Sequence, residues 1–397
     1  MNTKKQVMNK KKTENDNPPL KIIKSVDILC PHFDECSGCE LSKNVDNPPV
    51  FDEVDLYFKK KGITNLQLRV GKVIHWRYRA KLVVRGTSNN PEIGLYKKGT
   101  HKVLDIPFCK VHNESINKAV EIVKQFIHDE NIEPYNEETG KGLLRYIQLV
   151  VERSSLKVQI TFVLNSNMET NLKKWEINED PIWHSVWINF NATRTNNIFG
   201  VDWAHIKGPP LIFERFGLSE VCFHPASFAQ SNLELFEEML ESINNIVPEN
   251  SKVVEYYAGV GVIGLKIATK CQSIVCCEIT PQAEDCFNVA KSKLEPDVAK
   301  KITFQKALSE RSLNLIKDKD VCIVDPPRKG VDLNLLDEIV YESDLQKIIY
   351  LSCGWKAFQR DCDFILKSNK WKIEKIEPYL FFPGSNHIEI LAVFKKV

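Results

Sequence analysis

From residue 253 onward the chain alternates short apolar runs with helical patterns, and no other stretch limits its fold so tightly. The runs cover residues 253–257, 273–278, 302–307, 321–325 and 348–353. Each is rich in β-favouring residues and ends abruptly in polar chemistry, as a buried parallel strand does where it leaves a sheet. Two more runs, 371–379 and 387–394, follow with only a short connection between them. Five βα units and a closing hairpin imply an α/β fold: a mainly parallel seven-stranded sheet, one strand antiparallel, with helices on both faces.

The first run enters Gly259-Val-Gly261-Val-Ile-Gly264, a G-x-G-x-x-G turn whose glycines let the backbone approach a ligand at a helix start. Nineteen residues beyond Gly259, Glu278 ends the second run, where an acid can accept hydrogen bonds from ribose hydroxyls. These two features alone suit NAD or S-adenosylmethionine. The closing hairpin is the arrangement of class I methyltransferases; a dinucleotide-binding domain would use a sixth parallel strand instead.

In such a sheet the first, fourth and fifth strands are neighbours, so Gly259, Asp325 and Cys353 emerge at one edge. The antiparallel last strand returns Glu389 to that edge. A thiol, two carboxylates and a nucleoside pocket are not required for hydride transfer. They are what carbon methylation of a pyrimidine requires. C5 of uracil is a poor nucleophile until a thiolate adds at C6, the part Cys353 would take. A base, here Glu389, must then remove the C5 proton, while Asp325 holds the cofactor or the base edge. The bland alternatives are a core cysteine, as at Cys276, Cys277 and Cys322, and a glutamate facing solvent.

Upstream lies Cys30-Pro-His-Phe-Asp-Glu-Cys36-Ser-Gly-Cys39, with Cys109 as the next cysteine in the chain. Four cysteines suit a [4Fe-4S] cluster or a structural zinc, and His32 and His112 are possible substitutes as zinc ligands. The 12 cysteines are otherwise spread through apolar segments, as expected of reduced thiols. Residues 27–215 read as an α+β domain with strands at 79–85, 144–151 and 156–164 and a helix near 113–128. Arg77, Arg79, Lys81 and Arg85 mark either an RNA platform or merely a charged outer face.

Residues 1–26 are Lys- and Asn-rich without apolar period, the pattern of a mobile tail. With 43% hydrophobic and 27% charged residues, the 397-residue chain can build two or three cored domains. It has no apolar run of about 18 residues and no secretory start, so no membrane partner and a cytoplasmic location are expected. The net charge of +2 neither demands nor excludes nucleic acid.

From Cys30 to its end the chain resembles the RNA 5-methyluridine methyltransferases that modify bacterial 23S rRNA and the T-loop of tRNA. The markers are the four cysteines, Phe228-Ala-Gln230-Ser-Asn232, the glycine loop, Asp325-Pro-Pro-Arg-Lys-Gly330, Ser352-Cys353 and His387-Ile-Glu389. The resemblance implies S-adenosylmethionine as cofactor, held by Gln230, Tyr257, Gly259, Gly261, Glu278 and Asp325. It also implies Cys353 as nucleophile, Glu389 as base and a [4Fe-4S] cluster on Cys30, Cys36, Cys39 and Cys109. With 29 residues before Cys30 the chain resembles the shorter ribosomal type, so rRNA is favoured over tRNA. A monomer is expected, and the change of texture after residue 215 sets residues 216–397 apart as the methyltransferase domain. Two departures stand out. Gly354-Trp355 replaces the family's usual Asn-Pro after the thiol, and Glu255 stands where Asp is usual. The altered flank motivates a second reading, an inactive RNA-binding assembly factor.

Overall fold

The computed structural model describes residues 26–168, 171–177, 179–195 and 197–397. The tail read over residues 1–26 lies, apart from residue 26, outside them.

The C-terminal sheet contains β1 (Lys252–Tyr256), β2 (Ser273–Glu278), β3 (Ile302–Lys306), β4 (Val321–Val324), β5 (Lys347–Ser352), β6 (Trp371–Leu380) and β7 (Glu389–Lys396). Their order is β3-β2-β1-β4-β5-β7-β6, with β7 antiparallel to both β5 and β6. All four residues of β4 are buried, because helices cover both faces at the middle of the sheet. Side chains alternate between two apolar layers. Val253, Ile323, Ile349 and Leu391 face one, while Val254, Tyr256, Val324, Tyr350 and Ile390 face the other.

An eighth strand was not foreseen. Arg69–Val70 runs parallel to β6, with Arg69 opposite Tyr379. The helix Val50–Lys59 packs Val50, Val54 and Phe58 into the same layer as Tyr256 and Tyr350. The sequence places residues 50–70 with the N-terminal unit, yet they dock on the C-terminal sheet.

The N-terminal unit is a seven-stranded sheet ordered Val103–Asp105, Asn90–Tyr96, Arg79–Thr87, Leu144–Val151, Val158–Leu164, Trp183–Phe190 and Asp202–Lys207. The helix Glu114–Asp129 buries Ile116, Val120, Val123 and Ile127 against it. A single apolar cluster runs from Leu82 and Ile147 through Phe216 to Val253 and Leu391, so the two units share one continuous core. No helix among the described residues is long and apolar enough to cross a membrane.

Candidate active site

β1 delivers the chain into a tightly curled loop. Tyr257, Gly259 and Gly261 have φ of +59°, +54° and +77°. The left-handed region is costly for tyrosine. Two contacts hold Tyr257 there: its N–H donates to Ser309 Oγ at 3.2 Å, and its hydroxyl accepts the Asp332 N–H at 3.3 Å. Gly261 then turns the chain into the helix Val262–Ile267. The carboxylate of Glu278, at the end of β2, accepts the Gly259 N–H at 3.1 Å and the Thr280 hydroxyl at 2.8 Å.

Beside this loop opens a cleft of about 520 Å³, part of it open to solvent. Gln230, Tyr257, Gly259 and Asp325 line it, with Phe223, Phe228 and Phe236 as an aromatic wall. Gly261 and Glu278 stand outside the lining and shape the loop. A side chain at Gly259 would meet nothing within 4 Å, so the space beside that backbone is free for a ligand. Glu255, not read as a site residue beforehand, also lines the cleft. It accepts the Gly264 N–H at 2.8 Å, and burial pushes its carboxyl up to about 8.

The register of β5 and β7 brings the thiol and the last carboxylate together. Ser352 lies opposite Ile390 at the end of the paired register, which leaves Cys353 and Glu389 just beyond it and within electrostatic reach of each other. Burial, then the charges of Glu389 and Asp325, push the Cys353 thiol up to about 11, and Arg328 pulls it back. Burial first and Asp325 second raise Glu389 to about 8, again opposed by Arg328. Burial alone raises Asp325 to about 7. Neither carboxylate has a hydrogen-bond partner among the described residues. Three raised, unpaired ionisable groups at one sheet edge are unusual unless a ligand completes them.

Four structural residues, Asp361, Gly354, Trp355 and Asn232, fix the segments around these groups. Asp361 is fully buried and accepts the Val331 N–H at 2.9 Å and the Tyr350 hydroxyl at 2.7 Å. It thereby ties the loop after Asp325 to the helix after Cys353. Sequence reading missed it, because a lone acid in Arg360-Asp-Cys-Asp363 resembles a solvated helix face. The Gly354-Trp355 departure also has a packing cause. A Cβ at position 354 would clash with the carbonyl of Arg328, and the Trp355 ring packs 5.3 Å from Tyr57 and 6.2 Å from Phe58. Asn232, from the Phe228–Asn232 motif, caps the helix Leu233–Ile246 through the Leu235 N–H and donates to the Phe381 carbonyl at 3.1 Å.

Cys30, Cys36, Cys39 and Cys109 are free thiols lining a single cavity, with His32, Arg77 and His112 around it. Burial, then Cys109, Cys36 and Cys30 in turn, push Cys39 up to about 12, so the four lie within electrostatic reach of one another. Among the described residues no group of three or more His, Cys, Asp or Glu side chains is placed to hold a metal ion. The adjoining loop reaches the catalytic sheet: the N–H groups of Glu40 and Leu41 donate to the Gly384 carbonyl at 2.8 and 2.9 Å, in the connection leading to Glu389.

Three of the four residues in the basic row read as an RNA platform are engaged within the fold. Arg79 donates to Gln148 Oε1 and the Pro225 carbonyl, Arg77 stacks over Trp76 and Phe382, and Arg85 pairs with Glu137. Only Lys81 keeps an exposed charge. Alternating charge cannot distinguish an open face from one covered by another segment.

The seven-stranded order, the glycine loop and the cleft at its carboxyl edge define an S-adenosylmethionine-dependent methyltransferase. Residues 220–397 match the tRNA (uracil-5-)-methyltransferase family model. The chain is 43% identical to an uncharacterized RNA methyltransferase of Protochlamydia amoebophila, over 93% of this chain and 98% of that protein. It is 28% identical to one from Prochlorococcus marinus, covering 95% and 94%. The chain therefore belongs to the uracil-C5 RNA methyltransferase family. Its fold is like that of the Pyrococcus abyssi tRNA (uracil-54, C5)-methyltransferase solved with S-adenosyl-L-homocysteine. The TM-score is 0.75 at 22% identity, over 91% of this chain and 85% of that one.

Proposed function

We propose that the protein methylates C5 of a uridine in structured RNA through a covalent adduct between Cys353 and C6. The observation that carries this is the β5–β7 register, which seats Cys353 beside Glu389 with Asp325 in electrostatic contact with both. The open space beside Gly259 and the aromatic wall suit an adenosyl group, with Gln230, Tyr257, Gly259 and Asp325 at its surface and Gly261 and Glu278 behind. S-adenosylmethionine, when bound there, supplies an electrophilic methyl group.

Cys353 Sγ, as thiolate, forms a bond to C6, and the C5–C6 π pair moves out to the O4 enolate. That pair returns through C5 to the methyl group that the bound cofactor would supply, the methyl–sulfur bond breaking with its pair left on sulfur and S-adenosylhomocysteine leaving. Glu389, as carboxylate, takes the C5 proton; the released pair restores the C5–C6 double bond and the C6–S bond breaks. Arg328 is the cation that favours ionisation of both groups. The target base must leave its stack to reach them.

The four cysteines are proposed to hold a [4Fe-4S] cluster. Their sharing of one cavity within electrostatic reach of one another supports a common ligand, and the family resemblance favours iron, with a structural zinc as the alternative. The loop that carries Cys39 bonds to the connection leading to Glu389, so a cluster there would brace that connection. Among RNAs we favour 23S rRNA, on the sequence resemblance to the ribosomal type, with tRNA as the alternative. The assembly-factor reading loses its motive, because the Gly354-Trp355 flank is explained by packing.

RNA carrying 5-fluorouridine tests the mechanism. Fluorine cannot be removed as a proton, so a protein–RNA adduct should accumulate with the wild type and be absent with Cys353→Ala. Full methyl transfer by Cys353→Ala would sink the mechanism. Mass mapping of RNA from cells with and without the gene identifies the nucleotide.

A further inference from the structure

The outer face of the N-terminal sheet carries a second large groove, of about 1350 Å³ and partly open, away from the cofactor cleft. Along Arg79–Thr87, Ala80, Leu82 and Val84 enter the core while Lys81 and Val83 turn to this groove, Val83 lying opposite Tyr146. Tyr96, Arg145 and Arg194 complete its working surface.

Its charges are out of balance. Lys81, Arg145 and Arg194 have no carboxylate partner among the described residues, and the one acid in the lining, Glu137, is taken by Arg85 and the Tyr96 hydroxyl. Arg145 is the telling case. It is 4% exposed, and its Nη1 donates to the carbonyls of Asn191 and Thr193 at 2.6 and 2.8 Å. Its Nε is buried without a partner, and its guanidinium lies 4.9 Å from the Tyr135 ring centre and 5.9 Å from that of Tyr146. Carbonyls and ring faces satisfy part of this buried guanidinium, but none carries a charge, so an approaching anion is favoured there. Burial and the neighbouring Arg79 push the Lys81 ammonium down to about 8, a cost of burying charge.

An aromatic path leaves the groove toward the active site. Lys81 Nζ sits 4.5 Å over Phe199, whose ring is 4.9 Å from Trp203, itself 5.5 Å from His224. His224 opens the segment that ends in Phe228 and Gln230 at the cofactor cleft, and Phe228 is 72% exposed.

We propose that this groove is a track for unpaired nucleotides flanking the target uridine. Lys81 and Arg194 take phosphates, Arg145 supplies fixed positive potential beneath the surface, and bases stack on Tyr96 and Tyr146. The path over Phe199 and Trp203 leads the strand to Phe228. Stacking platforms beside unpaired cations fit single-stranded RNA, whose base faces are free, whereas a duplex hides them. The inference rests on the reading that the substrate is RNA.

The test uses the full chain, a fluorescein-labelled mixed-sequence single-stranded RNA of about ten nucleotides, and its duplex form, in anisotropy titrations at several salt concentrations. Wild type should prefer the single strand. Arg194→Glu and Tyr146→Ala should each weaken binding about tenfold, and Arg194→Glu should flatten the salt dependence by about one counterion. Binding of S-adenosylhomocysteine, measured by calorimetry, should be unchanged and reports an intact fold. Wild-type affinity in both variants would overturn the track, as would preference for a poly-glutamate peptide over RNA. If no RNA is methylated but the variants lose RNA binding, the catalytic reading fails and the track stands. If methylation proceeds and the variants bind normally, the track alone fails.

Discussion

Gly354 and the carbonyl of Arg328 approach so closely that a Cβ at position 354 would lie inside the 3.0 Å that real Cβ contacts respect. The loop after the nucleophile and the loop after Asp325 are therefore backed directly against each other. Gly354→Ala must separate them. Since displacements of about 1 Å can cost about 100-fold in rate, methyl transfer should fall by 10- to 100-fold. Calorimetry should show a much smaller fall in Tm, and an unchanged rate would mean that the loops tolerate separation.

Glu389→Gln is expected to raise stability while abolishing turnover. The folded-state carboxyl is raised to about 8 from its usual 4.5, so the folded state holds a proton that the unfolded chain releases. Stability is lost as pH rises between those values. The variant should melt several degrees above wild type at pH 8 and close to it at pH 4. Equal melting temperatures at pH 8 would contradict the burial argument.

Turnover itself should climb through neutral pH toward about 8 and beyond, because Glu389 and Cys353 must both lose protons to act. Single-turnover rates at saturating RNA read this directly. Arg328→Gln should move the profile to higher pH, since that cation favours both ionised forms; an unmoved profile would remove Arg328 from the account.

Asp361→Ala leaves the Val331 N–H and the Tyr350 hydroxyl without their acceptor in a fully buried site. Unsatisfied buried donors of this kind cost roughly 1–3 kcal/mol each, and denaturant titration should show a loss in that range or above. Asp361→Asn keeps one acceptor oxygen and should recover part of it.

Trp355→Ala removes the ring that packs on Tyr57, Phe58 and Phe358. A loss of roughly 3–5 kcal/mol is expected. Hydrogen exchange should quicken first in the helix Val50–Lys59, and uniform protection there would show that other contacts hold it.

The strands were legible where burial on both faces wrote continuous apolar runs: 273–278 was read to the residue, and β7 begins at Glu389 instead of His387. Cys353, Glu389 and Asp325 could be brought together from sequence because strand order fixes which ends are neighbours. The four cysteines of one cavity were likewise readable from their spacing and loops. Long-range docking was not. Val50, Val54 and Phe58 have helical spacing, but nothing local names Trp355 as their partner. The two-residue strand Arg69–Val70 is too short for any period, and Asp361 became meaningful only once Val331 and Tyr350 surrounded it. Arg79 and Lys81 have the same parity along one strand, and only the segment at Pro225 separates a covered guanidinium from an exposed ammonium.

The docking of residues 50–70 on a sheet built mainly from residues 252–396 bears on how such a chain can be cut or recombined. The catalytic body is discontinuous: the chain contributes a helix and an edge strand to it, departs to build the other unit, and returns. A single crossover near residue 216 would strip that helix from Trp355 and free the Glu389 connection from its bonds to Glu40 and Leu41. Exchange between relatives should succeed with two junctions, one on each side of the inserted sheet, and fail with one.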